Sequence, residues 1–212
     1  MERWRGQLDA WAAPVLDPVT QRLVRAGVHP HALTIAGFLV TCGAGWAFAT
    51  GALTLAGALV LLGGAFDLFD GRVARAGGQA SVFGSFFDST LDRLSEVVVF
   101  LGLLHFYLRP PPTRDALMLS AVLLALAGSL LVSYTRARAE GLGLDCKVGL
   151  MQRAERVLLL GGAALLFGRR WNGVVLDAVL LAMAVLTHAT ALQRMLWIHR
   201  HTRRPSQREE QR

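Results

Sequence analysis

Long stretches of this chain carry no charge, and short stretches between them carry almost all of it. Residues 26–66 contain no Lys, Arg, Asp or Glu, and neither do residues 97–108 or 116–135. Apolar runs of this length, separated by polar turns, predict helices that cross a bilayer. Gly27-Val28-His29-Pro30 breaks the segment before them, and a first span opens at Thr34 and runs to about Ala49. After the tight turn Thr50-Gly51-Ala52, a second span starts near Leu53. A third runs from about Val82 to Leu108 and a fourth from about Ala116 to Ala139. A fifth continues through Val157 to Phe167 from a charged start, and a sixth runs from about Val174 to Ile198. Arg109-Pro-Pro-Pro112 is a stiff turn, Arg169-Arg170 marks another, and Glu140 to Gln152 form a polar loop.

Upstream, Trp4, Leu8, Trp11, Val15, Val19 and Leu23 recur at helical intervals, with Arg3, Arg5, Arg22 and Arg25 available for headgroups. That pattern predicts an amphipathic helix lying on the membrane. The predicted fold class is all-α: an integral membrane bundle of six transmembrane helices preceded by an N-terminal amphipathic juxtamembrane helix. Residues 1–30 form the interfacial helix, 31–199 the bundle and 200–212 a disordered basic tail.

Composition supports this layout. The chain has 212 residues, 53% of them hydrophobic, and a mean hydropathy of +0.43, too apolar for a soluble domain of this size. Charges between Met1 and Arg25, together with Pro14 and Pro18, argue against a signal peptide. Cys42 sits in an apolar span and Cys146 in a polar loop, so no disulfide is expected. The net charge is +7. Anionic lipid headgroups suit that charge, and no nucleic acid partner is expected. Six spans put both termini on one side, and 18 of the 22 Lys and Arg residues fall on that side. The bias predicts a multi-pass protein of the cell (inner) membrane, with both termini and the charged clusters cytoplasmic.

The first charged cluster is acidic. Asp67 and Asp70 are three residues apart, and Asp88 and Asp92 are four apart, so each pair shares a helix face. Two helices joined by a short turn at Gly77-Gly78 aim four carboxylates at one point. Such a set calls for hard divalent cations with oxygen ligands. Gly71, beside the carboxylates, leaves room for a ligand. Carboxylates in spans also mark ion paths, so a divalent-metal transporter is an alternative. It predicts polar residues through the bilayer, and the first two spans have almost none.

The second cluster is basic. Arg136 and Arg138 close the fourth span, Arg153 and Arg156 open the fifth, and Arg194 lies near the end of the sixth. These five arginines are candidate phosphate ligands, because guanidinium forks bind phosphate oxygens in pairs.

The acidic stretch reads Asp-x2-Asp-Gly-x2-Ala-Arg-x8-Gly-x3-Asp-x3-Asp, through Asp67, Asp70, Gly71, Ala74, Arg75, Gly84, Asp88 and Asp92. It resembles the signature of the CDP-alcohol phosphotransferases, membrane enzymes of phospholipid synthesis. The resemblance implies transfer of a phosphatidyl group from CDP-diacylglycerol to a small polar alcohol, with release of CMP. It implies two Mg²⁺ or Mn²⁺ ions on Asp67, Asp70, Asp88 and Asp92, with Asp92 as general base. Asp67, Asp70, Gly71, Ala74, Arg75 and Gly84 would face the nucleotide, as would Thr34 of the Pro-x3-Thr pattern before the first span. An Arg-Ala-Glu segment, a loop and Arg-x-x-Arg resemble the phosphatidylinositol-phosphate and archaetidylinositol-phosphate synthases. That subgroup implies inositol phosphate as acceptor. Glycerol 3-phosphate and serine are the alternative acceptors, and a homodimer is compatible with the resemblance.

Overall fold

A computed structural model of the chain describes residues 2–109, 116–168 and 170–202, with the side chains of residues 2–12, Val15, Trp171 and Asn172 left aside. The expected stiff turn at residues 110–112, Arg169, the tail from residue 203, and the side chains of Trp4, Leu8, Trp11 and Val15 lie outside the described residues. Those described form seven α-helices: α1 (Glu2–Arg25), α2 (Pro30–Thr50), α3 (Leu53–Ala76), α4 (Val82–Tyr107), α5 (Ala116–Glu140), α6 (Arg153–Leu166) and α7 (Val174–Thr202). A short 3-10 turn, Arg170–Gly173, precedes α7.

Local chemistry sets the ends. The break at Gly27–Pro30 ends α1 at Arg25, and Pro30 begins α2, four residues before the expected start at Thr34. A proline at the first helical position lacks only an N–H that would be unpaired anyway, and its φ is already helical. His29, extended at φ −74°, caps the helix by accepting the His31 N–H on Nδ1. Gly51 ends it in the left-handed conformation (φ 80°), and the Ala52 N–H returns to Ala47 O at 2.9 Å. Ser81 caps α4 by accepting the Gly84 N–H at 3.0 Å.

Six of the helices close into a ring. Going round it, α2 packs on α3, α3 on α6, α6 on α7, α7 on α5, α5 on α4 and α4 on α2. α1 lies outside the ring against α3, where Asp17 pairs with Arg72 at 3.1 Å. Small residues let the backbones approach. A Cβ on Gly102 would fall 2.1 Å from Gly45 O between α4 and α2. One on Gly57 would fall 2.3 Å from Leu165 N between α3 and α6, and one on Gly128 would meet the Thr187 hydroxyl at 1.9 Å between α5 and α7. Gly161 also packs closely, against Leu61, whereas nothing lies within 4 Å of a Cβ on Gly162. One of that glycine pair therefore makes a helix contact. Phe48, Leu103, Leu176, Leu180 and Met183 fill the core. Outward, Leu39, Trp46, Leu55, Leu117, Leu158 and Val185 are exposed.

Four described helices, α2, α3, α5 and α7, are long and apolar enough to cross a membrane, which suits a multi-pass membrane protein. The expected count was six. α4 is long enough, but it carries Asp88, Asp92, Arg93 and Glu96. α6 has 14 residues. At about 1.5 Å per residue it extends roughly 21 Å, less than the ~30 Å of a hydrocarbon core.

The close backbone contacts make a prediction. Gly102→Ala should lower the melting temperature of the detergent-solubilised protein by several degrees, because overpacking costs roughly 1–3 kcal/mol. Gly162→Ala, which meets nothing, should leave it unchanged or raise it slightly. Equal midpoints for the two variants would show that the α2–α4 approach does not limit stability.

Candidate active site

Helices α2, α3, α4, α6 and α7 send polar side chains into the bundle, through Thr34, Asp70, Asp92, Arg156 and Arg194. α3 supplies Asp67 and Asp70 one turn apart, and α4 supplies Asp88 and Asp92 one turn apart. Asp67, Asp70 and Asp88 each offer an oxygen within 4.8 Å of the others. At that separation two carboxylates repel by about 3–4 kcal/mol in an effective dielectric of about 20, so the group is unfavourable without positive charge. Asp70 is 4% exposed. Its Oδ2 accepts a 2.7 Å hydrogen bond from the Thr34 hydroxyl of α2, whose oxygen also lies 3.2 Å from Pro30 O. Thr34 therefore orients a carboxylate.

Asp92 is held by α6. Arg153 reaches Asp92 Oδ1 at 2.7 Å, donates to the Asp92 backbone carbonyl at 2.9 Å and lies 3.5 Å from Asp67 Oδ2. The guanidinium of Arg153 therefore lies on the carboxylates, apart from the other arginines with which its sequence position groups it. Arg156, one turn further along α6, is 3% exposed and pairs with Glu96, donating at 2.9 Å from Nε. Its Nη1 donates to Met151 O at 3.1 Å. Arg194 of α7 is 1% exposed; it donates to Val148 O at 2.8 Å and to Val132 O. Cys146, Arg136, Arg156 and Glu140 all lie within electrostatic reach of Arg194. Arg136 is exposed and pairs with Glu140 at 2.8 Å, one turn along α5. Arg138 is exposed too, but two residues on along α5 and so about 200° round the helix from Arg136. Arg136 and Arg156 thus stand within electrostatic reach of Arg194, and Arg138 lies on a different face of α5.

The remaining expected residues flank the carboxylates. Arg75 folds over Gly71, where a Cβ would lie 3.4 Å from its Nη1. Ala74 is half-buried on the same helix, and a Cβ on Gly84 would meet the Ser81 hydroxyl at 3.0 Å and His31 at 3.2 Å. A cavity lined by Thr34, Asp67, Asp70, Asp92 and Arg153 opens between α2, α3 and α4. A second, lined by Ser95, Glu96, Arg153, Arg156 and Leu160, lies deeper toward α6. Glu96 was not among the candidates. It continues the i, i+4 series Asp88, Asp92, Glu96 along α4, and that spacing is the signal that could have found it.

The CDP-alcohol phosphatidyltransferase family model matches residues 27–196, most of the chain. This chain belongs to that family. Among its relatives in the family, the archaetidylinositol phosphate synthase of Methanothermobacter thermautotrophicus is 37% identical over 183 residues, 86% of this chain and 88% of the relative. The phosphatidylinositol phosphate synthase of Cutibacterium acnes is 33% identical, over 89% of this chain and 94% of the relative. The crystal structure of the Mycobacterium tuberculosis phosphatidylinositol phosphate synthase with CDP-DAG bound superposes with a TM-score of 0.76 at 31% identity, covering 86% of this chain and 92% of that one. The same enzyme in complex with manganese and citrate superposes at 0.75, with 30% identity, over 85% and 87%. As a member of this family the chain is a transferase of substituted phosphate groups.

The family's metal fits the residues present. Three carboxylates converge, and Asp88 Oδ1 is buried without a hydrogen-bond partner among the described residues. A buried carboxylate oxygen left unpaired is costly unless a cation meets it. Asp67, Asp70 and Asp88 are the residues that would hold a divalent ion. Asp88→Asn should therefore weaken Mn²⁺ binding by about tenfold or more, measured by calorimetry or by the electron-spin resonance of free Mn²⁺. Unchanged affinity would exclude the triad as the metal site.

Proposed function

We propose that this protein transfers the phosphatidyl group of CDP-diacylglycerol to the hydroxyl of an inositol phosphate, releasing CMP. The observation that carries the reading is the pairing of two clusters in one ring. Carboxylates on α3 and α4 face the donor side, and Arg136, Arg156 and Arg194 gather on the other. Arginines around one position favour an acceptor that brings its own phosphate over serine. The names of its relatives support the same acceptor.

Each residue then takes a role. Two Mg²⁺ or Mn²⁺ ions on Asp67, Asp70, Asp88 and Asp92 would neutralise the donor pyrophosphate and make its phosphorus more electrophilic. Thr34 holds Asp70 in orientation. Gly71, Ala74, Arg75 and Gly84 line the nucleotide, with Gly71 and Gly84 leaving space for it. Arg153 fixes Asp92 through one carboxylate oxygen. Asp92 takes the proton of the acceptor hydroxyl as its oxygen bonds to the phosphorus that carries the lipid. The bond from that phosphorus to the CMP oxygen breaks, and CMP leaves with the electron pair. The acceptor phosphate rests on Arg136, Arg156 and Arg194. Residues 31–199 are the catalytic bundle, and residues 1–30 an interfacial helix. The excess of Lys and Arg on the terminus-bearing side supports a site on the cytoplasmic face of the cell membrane.

The direct test is purified protein with CDP-diacylglycerol and a panel of acceptors, following CMP. Inositol phosphate should support release; glycerol 3-phosphate, free inositol and serine should support little. Full release in excess EDTA would exclude the metal-dependent mechanism. Asp92→Asn should cut turnover by roughly 10²-fold or more while CDP-diacylglycerol still binds, as loss of a base does. Loss of donor binding instead would make Asp92 a metal ligand and no base. Arg136, exposed and paired only across one helical turn, is the cleanest acceptor probe. Arg136→Ala should raise the acceptor KM by about tenfold and leave the donor KM unchanged, since a charge-assisted bond contributes roughly 1.5–3 kcal/mol. A rise in the donor KM alone would move these arginines to the pyrophosphate.

A further inference from the structure

The loop from Gly141 to Gln152 joins α5 to α6 and forms neither helix nor strand. Its composition is generic, yet it is bound in place. Cys146 is 0% and Met151 3% exposed. Its partners lie on α7. The Met151 N–H donates to the Thr190 hydroxyl at 3.2 Å, and Arg194 takes Val148 O. Thr190 and Arg194 are one turn apart, so a single face of α7 grips both ends of the Val148–Met151 stretch. Between them Gly149 adopts φ 135°, a conformation that favours glycine. A Cβ there would lie 2.5 Å from the Thr190 methyl carbon and 3.5 Å from Arg194 Nε. The Met151 peptide is thus shared: its N–H goes to Thr190 on α7, and its carbonyl takes Nη1 of Arg156 on α6. Thr190 is 1% exposed, so no water replaces it as partner of a buried N–H.

The geometry points to Thr190 and Gly149 as positioning residues for the acceptor site: Thr190 fixes the Met151 peptide, and that peptide fixes Arg156. Neither residue touches substrate in this scheme. The inference rests on the proposed role of Arg136, Arg156 and Arg194 in holding the acceptor phosphate. It adds that the loop is a rigid strut whose register determines where two of those three guanidiniums stand. Polar second partners of this kind hold a ligating group to within a fraction of an ångström, and small misplacements cost one to two orders of magnitude.

The test compares Thr190→Val, Thr190→Ser, Gly149→Ala and Arg136→Ala in the full-length protein in detergent. Valine keeps the shape and loses the acceptor; serine keeps the acceptor. Thr190→Val should speed amide hydrogen exchange across residues 146–152, raise the acceptor KM by about tenfold and leave the CDP-diacylglycerol KM within twofold. Thr190→Ser should restore both the exchange rate and the KM. Gly149→Ala should reproduce the acceptor defect, and less so when combined with Thr190→Ser, which removes the methyl it strikes. Faster loop exchange with an unmoved acceptor KM would overturn the inference, as would a parallel rise in both KM values. An unmoved acceptor KM in Arg136→Ala would instead remove the acceptor reading itself, leaving the exchange data to report on the strut alone. If Thr190→Val does not fold, the Gly149→Ala pair carries the same comparison.

Discussion

Four carboxylates crowded inside an apolar bundle are the constraint on which this structure turns. Each pair of charges at the spacing of Asp67, Asp70 and Asp88 opposes folding by several kcal/mol. The chain offsets part of that from within. Arg153 contacts two of the four carboxylates and a backbone carbonyl, and Thr34 donates to a third. What remains negative suits a divalent ion. Metal affinity and fold stability therefore draw on the same residual charge: a change that relieves repulsion also weakens the attraction for a cation.

That cluster can form only because the helices approach closely. Gly45 and Gly102 let α2 and α4 touch along their backbones, Gly57 and Gly161 do the same for α3 and α6, and Gly128 opens α5 to α7. In lipid there is little hydrophobic drive between helices, so close packing and interhelical hydrogen bonds hold the ring. The glycines set the radius of the ring, and the radius sets how near the inward side chains stand. The apolar half of the bundle and its charged end are two consequences of one packing geometry.

The acidic half of the site was legible in the sequence, and much of the basic half was not. Asp67, Asp70, Asp88 and Asp92 follow from i, i+3 and i, i+4 spacing, which local helix geometry alone converts into shared faces. Arg153 and Arg156 also lie on one face, and spacing gave no reason to separate them. What separates them is the register between α6 and α4, where Asp92 and Glu96 stand one turn apart and take one arginine each. Register between helices is tertiary and leaves no mark in either helix. Thr34 read as a span's first residue because Pro30 looked like a breaker; with Pro30 inside α2, Thr34 sits one turn in and faces Asp70. The loop before α6 was opaque for the same reason as the arginines. Its order comes from Thr190 and Arg194, some forty residues downstream.

The ring also divides the labour. α2, α3 and α4 carry the carboxylates and the small residues beside them; α5, α6 and α7 carry the arginines. α4 and α6 scarcely touch through their backbones, yet Arg153–Asp92 and Arg156–Glu96 join them across the interior. A buried pair of this kind contributes little net stability, but losing one partner costs about 3–5 kcal/mol, so it specifies position more than it stabilises. Two such pairs one turn apart fix both the distance and the rotation of α6 against α4. α6 is short and starts at the site, so its first turn can be placed by these contacts without a long helix to carry along. On the proposed reading, donor and acceptor would be held by different halves of the ring, with the two ion pairs setting the gap across which phosphorus and hydroxyl meet.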